Sequence, residues 1–440
     1  MKRFPERHWS TVAVLLAAIV GTGCAQTDGA EDDGDSGFRE LRSAQPHDMA
    51  PTVSPDDYAK VVAGTTEFGL SLLHKLAPAD ANFFYSPVST ALALGMTYAG
   101  ARGSTAEQMA LVLGSTVPPE AFASSMNRLM VDLAARNVAP HETKEGTKSV
   151  TLLPANAVWM QKGMGLGPGY LDTMSVRYDA GIKVLDLMGD PRGSTRTVNR
   201  WVAAHTKDKI LDLLPEGAID GQTPLVLTNA LYFYGSWQSP FLTSSTSNAT
   251  FHALADVDVT VPMMHDDRSI PYAEGDGYQL IDLAYDGGQL SMSVLLPAAG
   301  RFQEIRDGIT QATLESMRSA MTRDGEVRLA LPKFRFTWGT ESFKNQLIAM
   351  GMVDAFDGGR ADFSGILPGG GLFIDDVMHK AFIGVDESGT EAAAATAVTT
   401  RIVSAPVIRH ELTADRPFLI FIRDATGALL FAGQVTNPSL

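Results

Sequence analysis

The sequence predicts an α+β fold built as one large domain, and three observations predict it. Apolar residues recur at helical spacing in the first part of the chain and at strand spacing in the later part. Helices segregated from strands argue against alternating βαβ units. With 45% hydrophobic residues, the 440-residue chain has ample material for a large core. No Pro/Gly-rich seam divides the chain after residue 56, and no repeat recurs at a fixed period.

The N-terminus reads as a targeting signal. Lys2, Arg3, Arg7 and His8 precede the apolar run Thr11 to Val20, which is too short to span a membrane as a helix. Gly21-Thr22-Gly23 then leads into Cys24, the chain's single cysteine. This resembles the lipid-attachment site of bacterial lipoproteins, although Gly21 stands where such sites usually carry Leu. Ordinary cleavage near Ala25 is the alternative. Residues 1–23 are therefore expected to be a lipoprotein-like signal peptide. The protein is expected to be exported, either anchored on the outer envelope through Cys24 or secreted. One cysteine excludes an internal disulfide. Residues 24–55, polar and acidic, are expected to form a disordered tether, with the folded domain over 56–440.

Along that domain, Tyr58, Val61, Val62, Thr65, Phe68, Leu72 and Leu76 have helical spacing, with Asp56 or Asp57 as the expected N-cap. A buried helix is expected over 86–99, opened by Ser86-Pro87, and a second over 105–113, capped by Thr105. More helix is expected within 115–150 and over 199–214, stopping at Pro215. Strands are expected over 156–160, 223–234, 278–285, 290–296, 326–336, 372–386, 418–424 and 429–437, the last two joined by the turn Asp424 to Gly427.

Charge and missing motifs narrow the function. A net charge of -15 without any basic stripe repels phosphate backbones, so nucleic acid is not an expected partner. No G-x-S-x-G elbow or H-E-x-x-H helix occurs, and His141-Glu142 and His410-Glu411 lack a second His at ligand spacing. Gly163, Gly165, Gly167 and Gly169 look superficially like a phosphate loop, but Pro168 breaks the pattern. No metal, no cofactor and no enzymatic activity are expected.

The informative stretch runs from His379 to Ala405. After Glu387-Ser388-Gly389 come about sixteen residues that are small, β-branched or apolar, with Glu391 and Arg401 as the charges and no proline before Pro406. Such a loop has the composition of a strand. Thr390, Ala392, Ala394, Thr396 and Val398 would share one face, all uncharged; Glu391, Ala393, Ala395, Ala397 and Thr399 would share the other. The first face can enter a sheet without burying an unpaired charge, which costs roughly several kcal/mol. The lack of proline keeps every N–H free for a ladder, and Gly389 is expected to serve as a flexible hinge. Taken alone, the alanine run also fits a linker or short helix.

The flanking residues resemble the serpin family. Glu387-x-Gly389-Thr390-Glu391-Ala392-Ala393-Ala394-Ala395-Thr396 is similar to the proximal hinge of inhibitory members. Asn82 to Met109 (NFFYSPVSTALALGMTYAGARGSTAEQM), Asn229 to Phe241 (NALYFYGSWQSPF), Ala361 to Ile366 (ADFSGI) and Asp415 to Pro438 (DRPFLIFIRDATGALLFAGQVTNP) match family signatures in the right order. The resemblance spans about residues 56 to 440. It implies three β-sheets, eight or nine helices and an exposed reactive loop at about 387–406. It implies a monomeric inhibitor of serine proteases that acts as a suicide substrate: the protease cuts the loop, and the freed hinge inserts as a new central strand. Counting from the hinge places the reactive bond at Val403-Ser404, which suits an elastase-like enzyme, with Arg401 as the alternative reactive residue. The resemblance also implies a shutter of Ser86, Ser89, Asn229 and His379 beneath the sheet, and a breach of Trp237, Lys333 and Glu387 where the loop enters. Ser388 departs from the second Glu common in inhibitors. A non-inhibitory binding protein on the same fold and an inhibitor of cysteine proteases are the other readings.

Overall fold

The structure, a computed structural model, describes residues 30–31, 37–390 and 407–440. Cys24 and the signal peptide lie outside the described residues, as do the loop positions Glu391 to Thr396, Arg401, Val403 and Ser404.

The described residues form nine α-helices and three sheets, of eleven, six and four strands. The first helix, Pro55–Leu76, is capped by Ser54, whose hydroxyl accepts from the Asp57 N–H, with proline at the first helical position. Asp56 and Asp57, predicted as caps, instead occupy the first turn, where carboxylates favour the helix dipole. The second helix, Pro87–Tyr98, is buried at every position. It packs between strands Leu225–Asn229 and Leu429–Val435, so it has no polar face.

Four predicted elements differ in extent, one of them the strand expected over 223–234, which is Leu225–Asn229 followed past Ala230 by Leu231–Ser236. Thr105 lies inside helix Gly103–Val112, where its hydroxyl accepts from the Asp362 N–H. The helix predicted to Leu214 ends as Pro191–His205, because Lys207, Asp208 and Asp212 take positive φ. The Asn199 side chain then holds the following loop through the N–H and C=O of Leu214. The strand predicted over 326–336 is two: Glu326–Pro332 in the four-stranded sheet and Phe334–Ser342 in the eleven-stranded one. Lys333 stands at the corner between them.

The N-terminal boundary also differs from the predicted one. Strand Arg39–Leu41 pairs with Ile182–Leu185 and widens the large sheet. Phe38 sets its ring edge-on to Trp159. Glu40 pairs with Lys183 at 2.9 Å, Arg42 with Asp179 at 3.0 Å and Asp48 with Arg177 at 2.8 Å. Residues 37–54 thus belong to the folded body. Their composition forbids a core of their own, but not docking on a surface built by the rest of the chain.

The six-stranded sheet joins the chain's ends. Strand Phe83–Tyr85 pairs only with Leu429–Val435 in it. Asn82 accepts from the Thr436 and Asn437 N–H groups and donates to the Asn437 carbonyl.

Candidate functional site: a forked sheet

Strand Asp376–Asp386 lies beside Leu225–Asn229 in parallel, with partners from Asp376↔Val226 to His379↔Asn229. Higher up the pairing changes. The chain reverses at Glu387-Ser388, and Gly389–Thr390 returns between strand Asp376–Asp386 and strand Leu231–Ser236, which continues the line of Leu225–Asn229 past Ala230. It pairs with Val385 and Asp386 on one side and Gly235 and Ser236 on the other. The sheet is zipped below and wedged above, and the fork lies just beyond the His379–Asn229 pair.

The shutter residues meet at that fork. Asn229 Oδ1 accepts from His379 Nδ1, and His379 Nε2 accepts from the Ser86 N–H. These roles define a neutral imidazole protonated at Nδ1. Burial, with the ring fully enclosed, lowers its pKa to about 3. Asn229 Nδ2 donates to Ser89 Oγ at 2.9 Å and to Asn156 Oδ1 at 3.1 Å. Ser89 Oγ donates to Asn156 Oδ1 at 2.8 Å, and Ser86 Oγ donates to the Leu430 carbonyl at 2.8 Å. These buried polar groups, Asn156 Nδ2 apart, are thereby matched without any charge.

The breach residues meet at the wedge. Trp237, fully buried, donates from Nε1 to the Asp386 carbonyl and from its backbone N–H to the Ser388 carbonyl. Glu387 accepts from Lys333 Nζ at 2.7 Å and Thr246 Oγ1 at 2.7 Å. Burial raises the Glu387 pKa, but these two donors outweigh it and hold the carboxyl below its ordinary value. Burial leaves neighbouring Asp386 above its own, with the Ser388 N–H opposing.

At Gly389 the backbone passes very close to the neighbouring strand. A Cβ there would stand 2.0 Å from the Gly235 carbonyl oxygen, so the glycine is needed for close approach. Thr390 is 2% exposed and shares a 2.6 Å hydrogen bond with the Tyr285 hydroxyl, while Tyr285 stacks on Trp237. The expected exposed loop therefore begins inside the sheet.

Sequence reasoning missed Asn156, Thr246 and Tyr285. Asn156 lies in the break between strands Gly146–Pro154 and Ala157–Gln161, where Pro154 is a weak signal. Nothing in a single sequence singles out Thr246 or Tyr285, because their partners are 141 and 105 residues away.

Comparison with known proteins agrees with this geometry. A model of the serpin (serine protease inhibitor) family matches residues 63–438. An uncharacterized serpin-like protein of Thermococcus kodakarensis is 39% identical over 382 residues, 86% of each chain. The leukocyte elastase inhibitor of Xenopus laevis is 32% identical over 384 residues, 85% of this chain and 98% of that one. The crystal structure of the thermophilic serpin tengpin in its native state superposes with a TM-score of 0.79 at 25% identity, covering 93% of this chain and 99% of that one. This chain belongs to the serpin family and has the serpin fold. The family consists in general of protease inhibitors rather than catalysts.

Proposed function

We propose that this protein inhibits a serine protease as a suicide substrate, by covalent trapping and loop insertion. The observation that carries this reading is the wedge: Gly389–Thr390 already sits between strands that remain paired only from His379–Asn229 downward. Thr390 points to the buried side. Continuing that register puts Ala392, Ala394, Thr396 and Val398 on the same side, the uncharged face of the loop.

The chemistry follows from the loop. The protease nucleophile adds to the Val403 carbonyl, the bond to the Ser404 nitrogen breaks, and Ser404 leaves as the new amino terminus. The segment ending at Val403, esterified to the protease, then zips into the fork and carries the enzyme with it before water can release it. The energy comes from completing a sheet that the uncut loop leaves split. Val403 suits a small apolar pocket, and the inhibitor of leukocyte elastase in Xenopus laevis supports an elastase-like target. Cleavage after Arg401 would instead select a trypsin-like enzyme. The protein acts as an exported monomer, held to a membrane through a lipid on Cys24 or released.

The test is incubation with an elastase-type protease, followed by denaturing electrophoresis and mass spectrometry of the loop. An SDS-stable complex and a cut at Val403-Ser404 are expected, with a higher melting temperature for the cleaved form. Loop cleavage with no complex and no gain in melting temperature would favour a non-inhibitory binding protein.

A further inference from the structure

If the loop inserts as proposed above, the described strands fix where each of its residues goes. Thr390 pairs with Val385 and Gly235, and farther down Met378 pairs directly with Thr228. One register fits both ends of the seam, each step along the loop moving one step back on both strands. Glu391 then falls between Gly384 and Tyr234, Ala393 between Phe382 and Tyr232, and Ala395 between Lys380 and Ala230. These positions share the face opposite Thr390. The segment 206–214, which follows helix Pro191–His205, covers that face below Glu391. Lys207 Nζ lies 5.0 Å from the centre of the Tyr232 ring, and Lys209 Nζ 5.8 Å from that of Phe382. Lys380 Nζ donates to the Leu211 carbonyl at 2.6 Å, and Ile210, Leu213 and Leu214 share a buried cluster with Ala230 and Met378. The alanines at 393 and 395 suit a covered face, and Glu391 is left at its upper margin.

One cation is placed for that carboxylate. Arg335, on strand Phe334–Ser342, pairs with Gly384 from the far side of Asp376–Asp386. Its exposed side chain lies over the glycine: a Cβ at 384 would stand 3.4 Å from Arg335 Nε and 3.6 Å from its Cγ. The guanidinium carbon is 5.2 Å from the centre of the Phe382 ring, which keeps it on the face that Glu391 would join. No carboxylate among the described residues pairs with Arg335. Two strand spacings put the Cα atoms of Arg335 and a seated Glu391 roughly 10 Å apart. An extended Arg and Glu span that distance when nothing stands between them, and Gly384 has no side chain to stand there. We propose that Arg335 is a positioning residue for loop insertion, receiving the Glu391 carboxylate across Gly384 as the hinge is seated. Lys333 already serves Glu387 in this way at the turn, so each early acid of the hinge has its own cation beside the seam.

The experiment uses the full chain, with the loop cut between Thr399 and Ser404 by a protease of broad specificity. The readout is the gain in melting temperature from uncut to cut form, measured in urea at low salt. Taking the difference removes any effect a substitution has on the uncut fold. Arg335→Glu sets two carboxylates across Gly384 and should lower the gain by about 2 °C, as should Glu391→Arg by setting two cations there. The double variant Arg335→Glu with Glu391→Arg restores an opposite pair and should recover most of the wild-type gain, which a merely structural role for Arg335 would not do. Glu391→Arg decides the matter if Arg335→Glu does not fold. A normal wild-type gain that both single variants match, or single losses that simply add in the double variant, overturns the role of Arg335 and leaves insertion standing. No gain in the wild type overturns insertion itself, and this inference with it.

Discussion

The two ends of strand Asp376–Asp386 are held by different physics. At the lower end a relay of neutral groups, from Ser86 through His379 and Asn229 to Ser89 and Asn156, locks two strands together in the buried interior. At the upper end an ion pair, Lys333–Glu387, and two glycines in close approach admit a third strand. A neutral relay is strong only while complete, because each orphaned member pays its own desolvation. The breach works the opposite way. Its charged member stays at the turn, and only small uncharged residues need enter. One end of the strand resists separation and the other invites a guest.

That contrast can be broken most severely at the guest itself. Thr390→Arg would place a charge where Thr390 is now 2% exposed, a cost of roughly several kcal/mol. The loop start should leave the sheet, and the ratio of cleaved inhibitor to covalent complex should rise at least about tenfold; unchanged trapping on electrophoresis would refute the insertion step. Asn229→Ala should rank next. It strips His379, Ser89 and Asn156 of one shared partner and should lower stability by about 3 kcal/mol in urea unfolding.

Acid should act on the lower end through His379. Its folded pKa of about 3 lies below the unfolded value near 6.5, so the unfolded chain takes up the proton first. The stability it contributes is complete above about pH 6.5 and declines as pH falls toward 3, by about 2 kcal/mol at pH 5. The fall in urea stability between pH 6.5 and pH 5 should shrink by about 1.5 kcal/mol in His379→Gln. Lys333→Met, at the upper end, should cost only about 1 kcal/mol, because Lys333 is one-third exposed and Thr246 still serves Glu387. Tyr285→Phe sharpens the comparison most finely: losing the bond to Thr390 should cost about 0.5–1 kcal/mol.

Much of this site was legible where short motifs carry it. Ser86, Ser89, Asn229 and His379 lie in or next to recognisable stretches, and the structure brings them within hydrogen-bond reach. Trp237, Lys333 and Glu387 likewise converge. The α+β class followed from periodicity, as did the last strand pair. Partners that depend on tertiary placement alone were hidden. Asn156 gains its meaning from Ser89 on a helix and Asn229 on a strand, both far from it in sequence, and Tyr285 from a threonine 105 residues later. The docked segment 37–54 escaped because hydrophobic content measures what a stretch can bury by itself. The early burial of Gly389–Thr390 escaped because a strand-like loop carries no mark of how far it has already entered.

The pairing of Phe83–Tyr85 with Leu429–Val435 has a consequence for how the molecule is made. A strand synthesised within the first hundred residues waits for its neighbour until residues 429–435 have been made. Closure across so long a separation is slow, and Asn82 cannot find Thr436 and Asn437 before the final residues emerge. The sheet therefore cannot be completed on a nascent chain. A product that stops before Leu429 would leave strand Phe83–Tyr85 without its partner in the sheet.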